Sequence, residues 1–179
     1  MIFTETILKG AFIVEPEKIK DQRGFFARAW CKKEFEDHGL SLSWVQNNIS
    51  FNLKRYTLRG MHYQSTPFEE AKLVRCTRGA IFDVMIDLRP DSPTFLKWVG
   101  LELHSGNFKM LYIPENFAHG YLTLNDNTEV FYQVSKPYSP GHERGLRWND
   151  PAFGIHWPIK GHPLISDKDR NWPDCKLSS

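Results

Sequence analysis

Cysteine is scarce: Cys31, Cys76 and Cys175 are the three in a chain of 179 residues, an odd number without Cys-x-x-Cys spacing. That argues against a disulfide framework or a cysteine-based zinc site and for free thiols in a reducing compartment. An excess of one charge is also missing, with 23 Lys and Arg against 21 Asp and Glu and a net charge of +2. So even a balance gives no broad electrostatic footprint for nucleic acid, though it leaves room for a local basic pocket that takes a diphosphate. No stretch approaches the ~20 apolar residues of a membrane helix. The N-terminus is broken by Glu5, Lys9 and Glu15 and lacks a secretory pattern. The expectation is a soluble, cytoplasmic protein with no nucleic-acid and no membrane partner. No repeat, linker or glycine-rich nicotinamide motif interrupts the chain, which reads as a single domain over 1–179, long enough to bury ~70% of its unfolded surface.

Strand patterning fills the space left by these absences. From Ala80 to Leu88, Ala80, Phe82, Val84, Ile86 and Leu88 share one face and Ile81, Asp83, Met85 and Asp87 the other, the period-two alternation of a strand. Arg78-Gly79 reads as a turn, so Ala71–Thr77 and Ala80–Leu88 are expected to pair as a hairpin. Further strand-like runs cover Phe95–Leu103, Lys109–Ile113, Gly120–Leu124 and Glu129–Val134, separated by proline, glycine and asparagine turns. Many short strands at this spacing predict an all-β sandwich or barrel. Helix is limited to Lys32–His38, ended by Gly39. From Pro137 onward, six of the eleven prolines predict extended loops wrapping the barrel.

Chemistry-bearing residues cluster around two histidines, His62 in Leu58-Arg59-Gly60-Met61-His62-Tyr63-Gln64 and His119 in Pro114-Glu115-Asn116-Phe117-Ala118-His119-Gly120-Tyr121. An imidazole titrates near neutrality and can take a proton from a carbon acidified by a neighbouring ketone. A structural histidine hydrogen-bonded inside a barrel is the other reading. Added in order are Asp21-Gln22-Arg23-Gly24-Phe25-Phe26, Gln46-Asn47-Asn48-Ile49-Ser50, Lys72-Leu73-Val74-Arg75, Tyr132, Glu143-Arg144-Gly145, Trp148-Asn149-Asp150-Pro151 and Ser166-Asp167-Lys168-Asp169. From about Asp21 to Asp169, this series resembles the dTDP-4-dehydrorhamnose 3,5-epimerase family of nucleotide-sugar enzymes.

The resemblance implies a cupin-type jelly-roll β-barrel with few short helices, assembled as a homodimer and working without cofactor or metal on a nucleotide-sugar substrate. Metal-binding cupins show His-x-His at the first site, where this chain has Gln64 after His62. The implied pathway is dTDP-L-rhamnose biosynthesis, feeding lipopolysaccharide O-antigen. The implied catalytic residues are His62 as general base, Tyr132 as proton donor on the opposite face, Lys72 at the sugar carbonyl and Asp169 as the carboxylate orienting the base. Asp83, on the polar face of its strand, competes for that last role. Ser166-x-x-Asp169 also fits a helix capping box. The implied substrate-binding residues are Arg23, Gln46, Asn48, Arg59, His119, Tyr138, Glu143 and Lys168, with Tyr138 stacking on the pyrimidine. Arginine and lysine suit a diphosphate.

One residue departs from the pattern. Arg28 stands where many family members carry an acid that contacts the nucleotide, which leaves base specificity open and leaves Arg28 free to meet a phosphate or an acidic neighbour. Three other readings remain: a single-centre 3- or 5-epimerase on a dTDP-, CDP- or GDP-linked keto sugar, a metal-dependent cupin oxygenase, and a non-catalytic sugar-nucleotide binding module.

Overall fold

Residues 1–40 and 43–175 are described by the computed structural model. Strands β1 (Ile2–Glu5) and β2 (Phe12–Glu15) pair antiparallel at the start of the chain. A separate hairpin of β3 (Ile19–Asp21) and β4 (Gly24–Phe26) follows, then the short helix α1 (Lys32–Glu36), whose Phe35 is buried. The helix is shorter than the expected Lys32–His38 run, and the chain turns away at Gly39 with φ +74°, a left-handed conformation that glycine adopts readily.

The central strands are β5 (Gln46–Asn52), β6 (Thr57–Gln64), β7 (Lys72–Arg78), β8 (Ala80–Asp87), β9 (Trp98–His104), β10 (Met110–Ile113), β11 (Phe117–Thr123) and β12 (Thr128–Val134). The chain ends in β13 (Glu143–Gly145), β14 (Leu164–Ile165) and the one-turn helix α2 (Asp167–Arg170). One sheet runs β1-β2-β10-β7-β12-β5; the other runs β13-β6-β11-β8-β9, with β14 parallel to β6. The two sheets close on a core of Val74, Ile81, Met85, Leu103, Leu111 and Val130. Each such fully buried side chain stabilises the fold by about 1.5–3 kcal/mol. This is the all-β architecture expected from the strand spacing, in the jelly-roll form that the family resemblance implies.

The expected hairpin of Ala71–Thr77 with Ala80–Leu88 does not form. β7 pairs with β10 and β12 in one sheet, and β8 pairs with β9 and β11 in the other. Arg78-Gly79 is instead a corner where the chain changes sheets, with Gly79 at φ +76°. Alternation records which face a residue occupies; it says nothing about the strand beside it. In β8 both faces are buried. Ile81 and Met85 point into the barrel, while Phe82, Val84 and Ile86 lie beneath the C-terminal segment with Phe153 and Trp157. The proline-rich tail therefore does wrap the barrel, covering the outer face of the second sheet.

Between β6 and β11 the backbones come unusually close. A Cβ on Gly120 would stand 2.7 Å from Met61 Sδ and 2.8 Å from the Arg59 carbonyl oxygen; one on Gly60 would stand 2.5 Å from Gly120 Cα. The register shifts between His119 and Tyr121, so Arg59 and His62, three positions apart, can both serve the same end of the barrel. Gly120→Ala should force these strands apart and cost about 1–3 kcal/mol, the usual penalty of overpacking, read as a lower urea midpoint with unchanged slope.

Candidate active site

The barrel opens at one end into a cavity of about 320 Å³. Its first wall is built from the inward positions of β5, β12 and β7, because strand alternation sends every second side chain inside. Across these strands Gln46 pairs with Val134 and Val134 with Lys72, while Asn48 pairs with Tyr132 and Tyr132 with Val74. Deeper along the strands the inward residues Val130 and Cys76 belong to the apolar core. The polar rows at the mouth thus rest on a hydrophobic floor. The second wall comes from β6 and β13, which supply His62, Tyr63, Gln64 and Glu143.

His62 is hydrogen-bonded through Nε2 to Asp169 Oδ1 at 2.7 Å, across 107 positions of sequence. Ser166 caps α2 by accepting from the Asp169 backbone N–H at 3.1 Å. The capping geometry and the carboxylate contact are compatible: the cap uses the Asp169 backbone and leaves its side chain for His62. Asp169 Oδ2 also accepts from the Gly60 N–H at 3.2 Å. Burial works to raise the Asp169 carboxyl, but the His62 hydrogen bond and charge and the Gly60 N–H outweigh it and hold it below the ordinary value. An ionised Asp169 makes Nε2 the protonated nitrogen and leaves Nδ1 as the basic one. Asp83, the competing carboxylate, is fully buried and bonds His119 Nε2 at 2.5 Å. His62 and His119 face one another as partners across β6 and β11, each with its own aspartate.

Tyr132 lies on the sheet opposite His62. Burial raises its phenol, Arg59 acting against this and Glu70 with it, so the hydroxyl keeps its proton at neutral pH. Lys72 Nζ is 3.0 Å from Glu70 Oε1, with both side chains almost enclosed. At the rim, Tyr138 donates its hydroxyl to Glu143 Oε2 at 2.6 Å, and Lys168 Nζ approaches the same oxygen at 2.5 Å. Burial opposes ionisation of Glu143, yet Lys168, Tyr138 and His62 together keep it below the usual carboxylate value. The Tyr138 N–H donates to Gln46 Oε1 at 3.2 Å, and Gln46 Nε2 donates to Asn48 Oδ1 at 2.8 Å. The arrangement sets an imidazole and a phenol on facing walls, a lysine on the strand beside the phenol and a polar rim around them.

Of the residues singled out from sequence, His62, Lys72, Tyr132, Gln46, Asn48, Tyr138 and Glu143 line this cavity. Asp169 and Lys168 reach it through His62 and Glu143. Arg59 donates through Nε to Asn52 Oδ1 at 2.8 Å, and Asn52 in turn reaches the Tyr121 hydroxyl at 3.3 Å. His119 lies beside His62 on the neighbouring strand, largely enclosed. Arg23 is not brought there: its side chain is 90% exposed on the β3–β4 hairpin and pairs with Asp21 at 2.6 Å. Arg28 has found an acidic neighbour, Glu34, at 2.7 Å. Glu70 lines the cavity but was not singled out; its two-residue spacing from Lys72 at the entrance to a strand was the available signal. Among the described residues, no group of three or more His, Cys, Asp and Glu is arranged to hold a metal ion.

Comparison with known proteins matches residues 5–176 to the family model described as dTDP-4-dehydrorhamnose 3,5-epimerase. A protein of that name from Sinorhizobium fredii is 43% identical over 178 residues, covering 99% of this chain and 91% of the relative. The crystal structure of such an epimerase from Bacillus anthracis, with TDP and PPi bound, superposes with a TM-score of 0.93 at 42% identity, covering 97% of this chain and 99% of that one. A Legionella pneumophila epimerase in complex with dTDP-4-keto-L-rhamnose gives 0.90 at 34% identity, with 97% and 92% covered.

The His62–Asp169 geometry predicts one tautomer. Nitrogen-15 NMR of histidine-labelled protein should find neutral His62 protonated at Nε2, and Asp169→Ala should abolish that preference while leaving the His119 signals in place.

Proposed function

The chain belongs to the dTDP-4-dehydrorhamnose 3,5-epimerase family, cupin-type jelly-roll isomerases, and on that premise we propose that it inverts carbons 3 and 5 of dTDP-4-keto-6-deoxyglucose to give dTDP-4-keto-L-rhamnose. The observation that carries this reading is a histidine with an aspartate behind it on one wall of a cavity and a protonated tyrosine on the other. Inversion at carbon needs a proton removed from one face and another delivered to the opposite face, and groups on facing walls meet that need.

His62 removes the proton next to the ketone through Nδ1, and Asp169 stabilises the imidazolium that forms. Lys72, with His119 beside the base, offsets the charge gathering on the ketone oxygen as the enolate develops, where electrostatic help is largest. Tyr132 protonates the carbon from the other side. The same groups act at the second carbon after the ring is repositioned. The reaction has no net redox change, and the chain's own acids and bases account for every proton moved.

Tyr138 stacks on the pyrimidine, held by Glu143 and Gln46. Asn48, Arg59 and Lys168 serve the sugar and diphosphate. Arg28 pairs with Glu34 in the single chain. The working form is a cytoplasmic homodimer of single-domain chains that supplies L-rhamnose for surface polysaccharide. Two features support the dimer. Edge strand β5 presents Ile49 and Phe51 at 67% and 43% exposure, more apolar surface than a free sheet edge usually leaves bare. The β3–β4 hairpin carries Arg23 away from its own cavity, where a second copy's pocket can receive it.

Proton NMR in deuterated water with dTDP-4-keto-6-deoxyglucose tests the chemistry. Deuterium should enter at carbons 3 and 5 with inversion at both. His62→Ala should lose about 10²- to 10⁴-fold in rate while still binding dTDP. Exchange confined to one carbon would make the chain a single-centre epimerase, and no exchange with any nucleotide-linked keto sugar would overturn the enzyme reading. Light scattering should give twice the 20.9 kDa chain mass; a monomer at micromolar concentration would contradict the dimer.

A further inference from the structure

Resting on the epimerase reading above, the geometry points to Glu70 as a positioning residue that holds the Lys72 ammonium beside the reacting ketone and keeps it from the substrate's diphosphate. Glu70 precedes β7 by two residues, and its Oε1 is 3.0 Å from Lys72 Nζ, with the two side chains only 8% and 10% exposed. Its other oxygen, Oε2, accepts from Gln64 Nε2. Gln64 is itself fixed, because its Nε2 also faces the Phe68 carbonyl at 3.0 Å and its Oε1 accepts from the Ser139 N–H at 2.6 Å. Ser139 follows Tyr138, so a continuous chain of polar contacts runs from the rim loop through Gln64 and Glu70 to the lysine.

The need for such a holder follows from charge. A lysine side chain is a flexible stem ending in a point charge, and the proposed substrate brings a doubly charged diphosphate into the same cavity. A free ammonium gains more from a phosphate than from a neutral ketone oxygen, and would drift to the wrong end of the ligand. A buried carboxylate in contact with Lys72 outcompetes the phosphate locally and leaves the remaining ammonium protons for the enolate oxygen. The same carboxylate offsets the cost of enclosing the ammonium between turnovers. Glu70 does not touch the reacting atoms on this account; it acts through Lys72.

The test is a double-mutant cycle with Glu70→Gln, Lys72→Met and both together, reading kcat and KM for inversion of dTDP-4-keto-6-deoxyglucose. Glu70→Gln keeps the shape and an acceptor for Gln64 while removing the charge. Its kcat should fall about 10- to 100-fold, the scale of a misplaced catalytic group, with KM unchanged or lower because the released lysine now favours the diphosphate. The double variant should be no slower than Lys72→Met alone. Glu70→Asp, which keeps the charge at shorter reach, should fall between wild type and Glu70→Gln, and serves in its place if Glu70→Gln does not fold. Wild-type kcat in the variants, multiplying losses in the double variant, or a loss carried mainly by a raised KM would each overturn the role of Glu70 while leaving the epimerase reading intact. A wild-type protein that exchanges no substrate proton overturns both.

Discussion

The hydrogen bond from His62 to Asp169 joins a strand in the middle of the barrel to a single helical turn near the other end of the chain. Most of what makes this barrel more than a scaffold depends on it. For the carboxylate to arrive there, the C-terminal segment has to cross the outer face of the second sheet, which is why Phe153 is buried, and Trp157 partly buried, in one cluster with Val84 and Ile86. β14 then lies parallel to β6 and delivers α2, whose Ser166 cap orients the turn. The tail's packing energy is thereby converted into the placement of one oxygen atom. Binding of the Gly60 N–H by the same carboxylate ties that placement to the glycine contact between β6 and β11.

The jelly-roll topology supplies the second requirement. Because β5 to β8, and again β9 to β13, alternate between the sheets, the proposed acid and base come from walls that face each other: Tyr132 from β12 and His62 from β6. Burial raises the phenol, and a carboxylate is hydrogen-bonded to the imidazole, an arrangement that suits the opposite proton transfers proposed for the two groups. The ion pairs of Lys72 with Glu70, enclosed in the cavity wall, and of Lys168 with Glu143, at the exposed rim, give both cations a counter-charge.

Much of this was legible in the residues, and the exceptions have physical causes. Alternation over Ala80–Leu88 marked a real strand, and the turn at Arg78-Gly79 was real as well. The hairpin drawn from them was not, because a tight turn between strands serves a hairpin and a sheet-to-sheet corner equally. The pairing of Asp169 with His62, and of Asp83 with His119, could not follow from spacing, since contacts across 107 positions and across 36 are set by how the sheets close. Glu70 stands just before the expected Ala71–Thr77 strand, and the fold shows that its side chain is enclosed against Lys72. Arg23 was expected at the site from its motif, and a single chain leaves it on an exposed hairpin.

The proposed inversion requires His62 and Tyr132 to address opposite faces of one sugar ring. A crystal structure with dTDP-glucose, which carries the nucleotide and hexose but no acidifying ketone, tests this directly. The sugar should lie in the cavity with carbons 3 and 5 between His62 Nδ1 and the Tyr132 hydroxyl, each within about 3–3.5 Å of its carbon and on opposite faces. A ring held outside the cavity, or one with both groups on the same face, would contradict the proposed inversion.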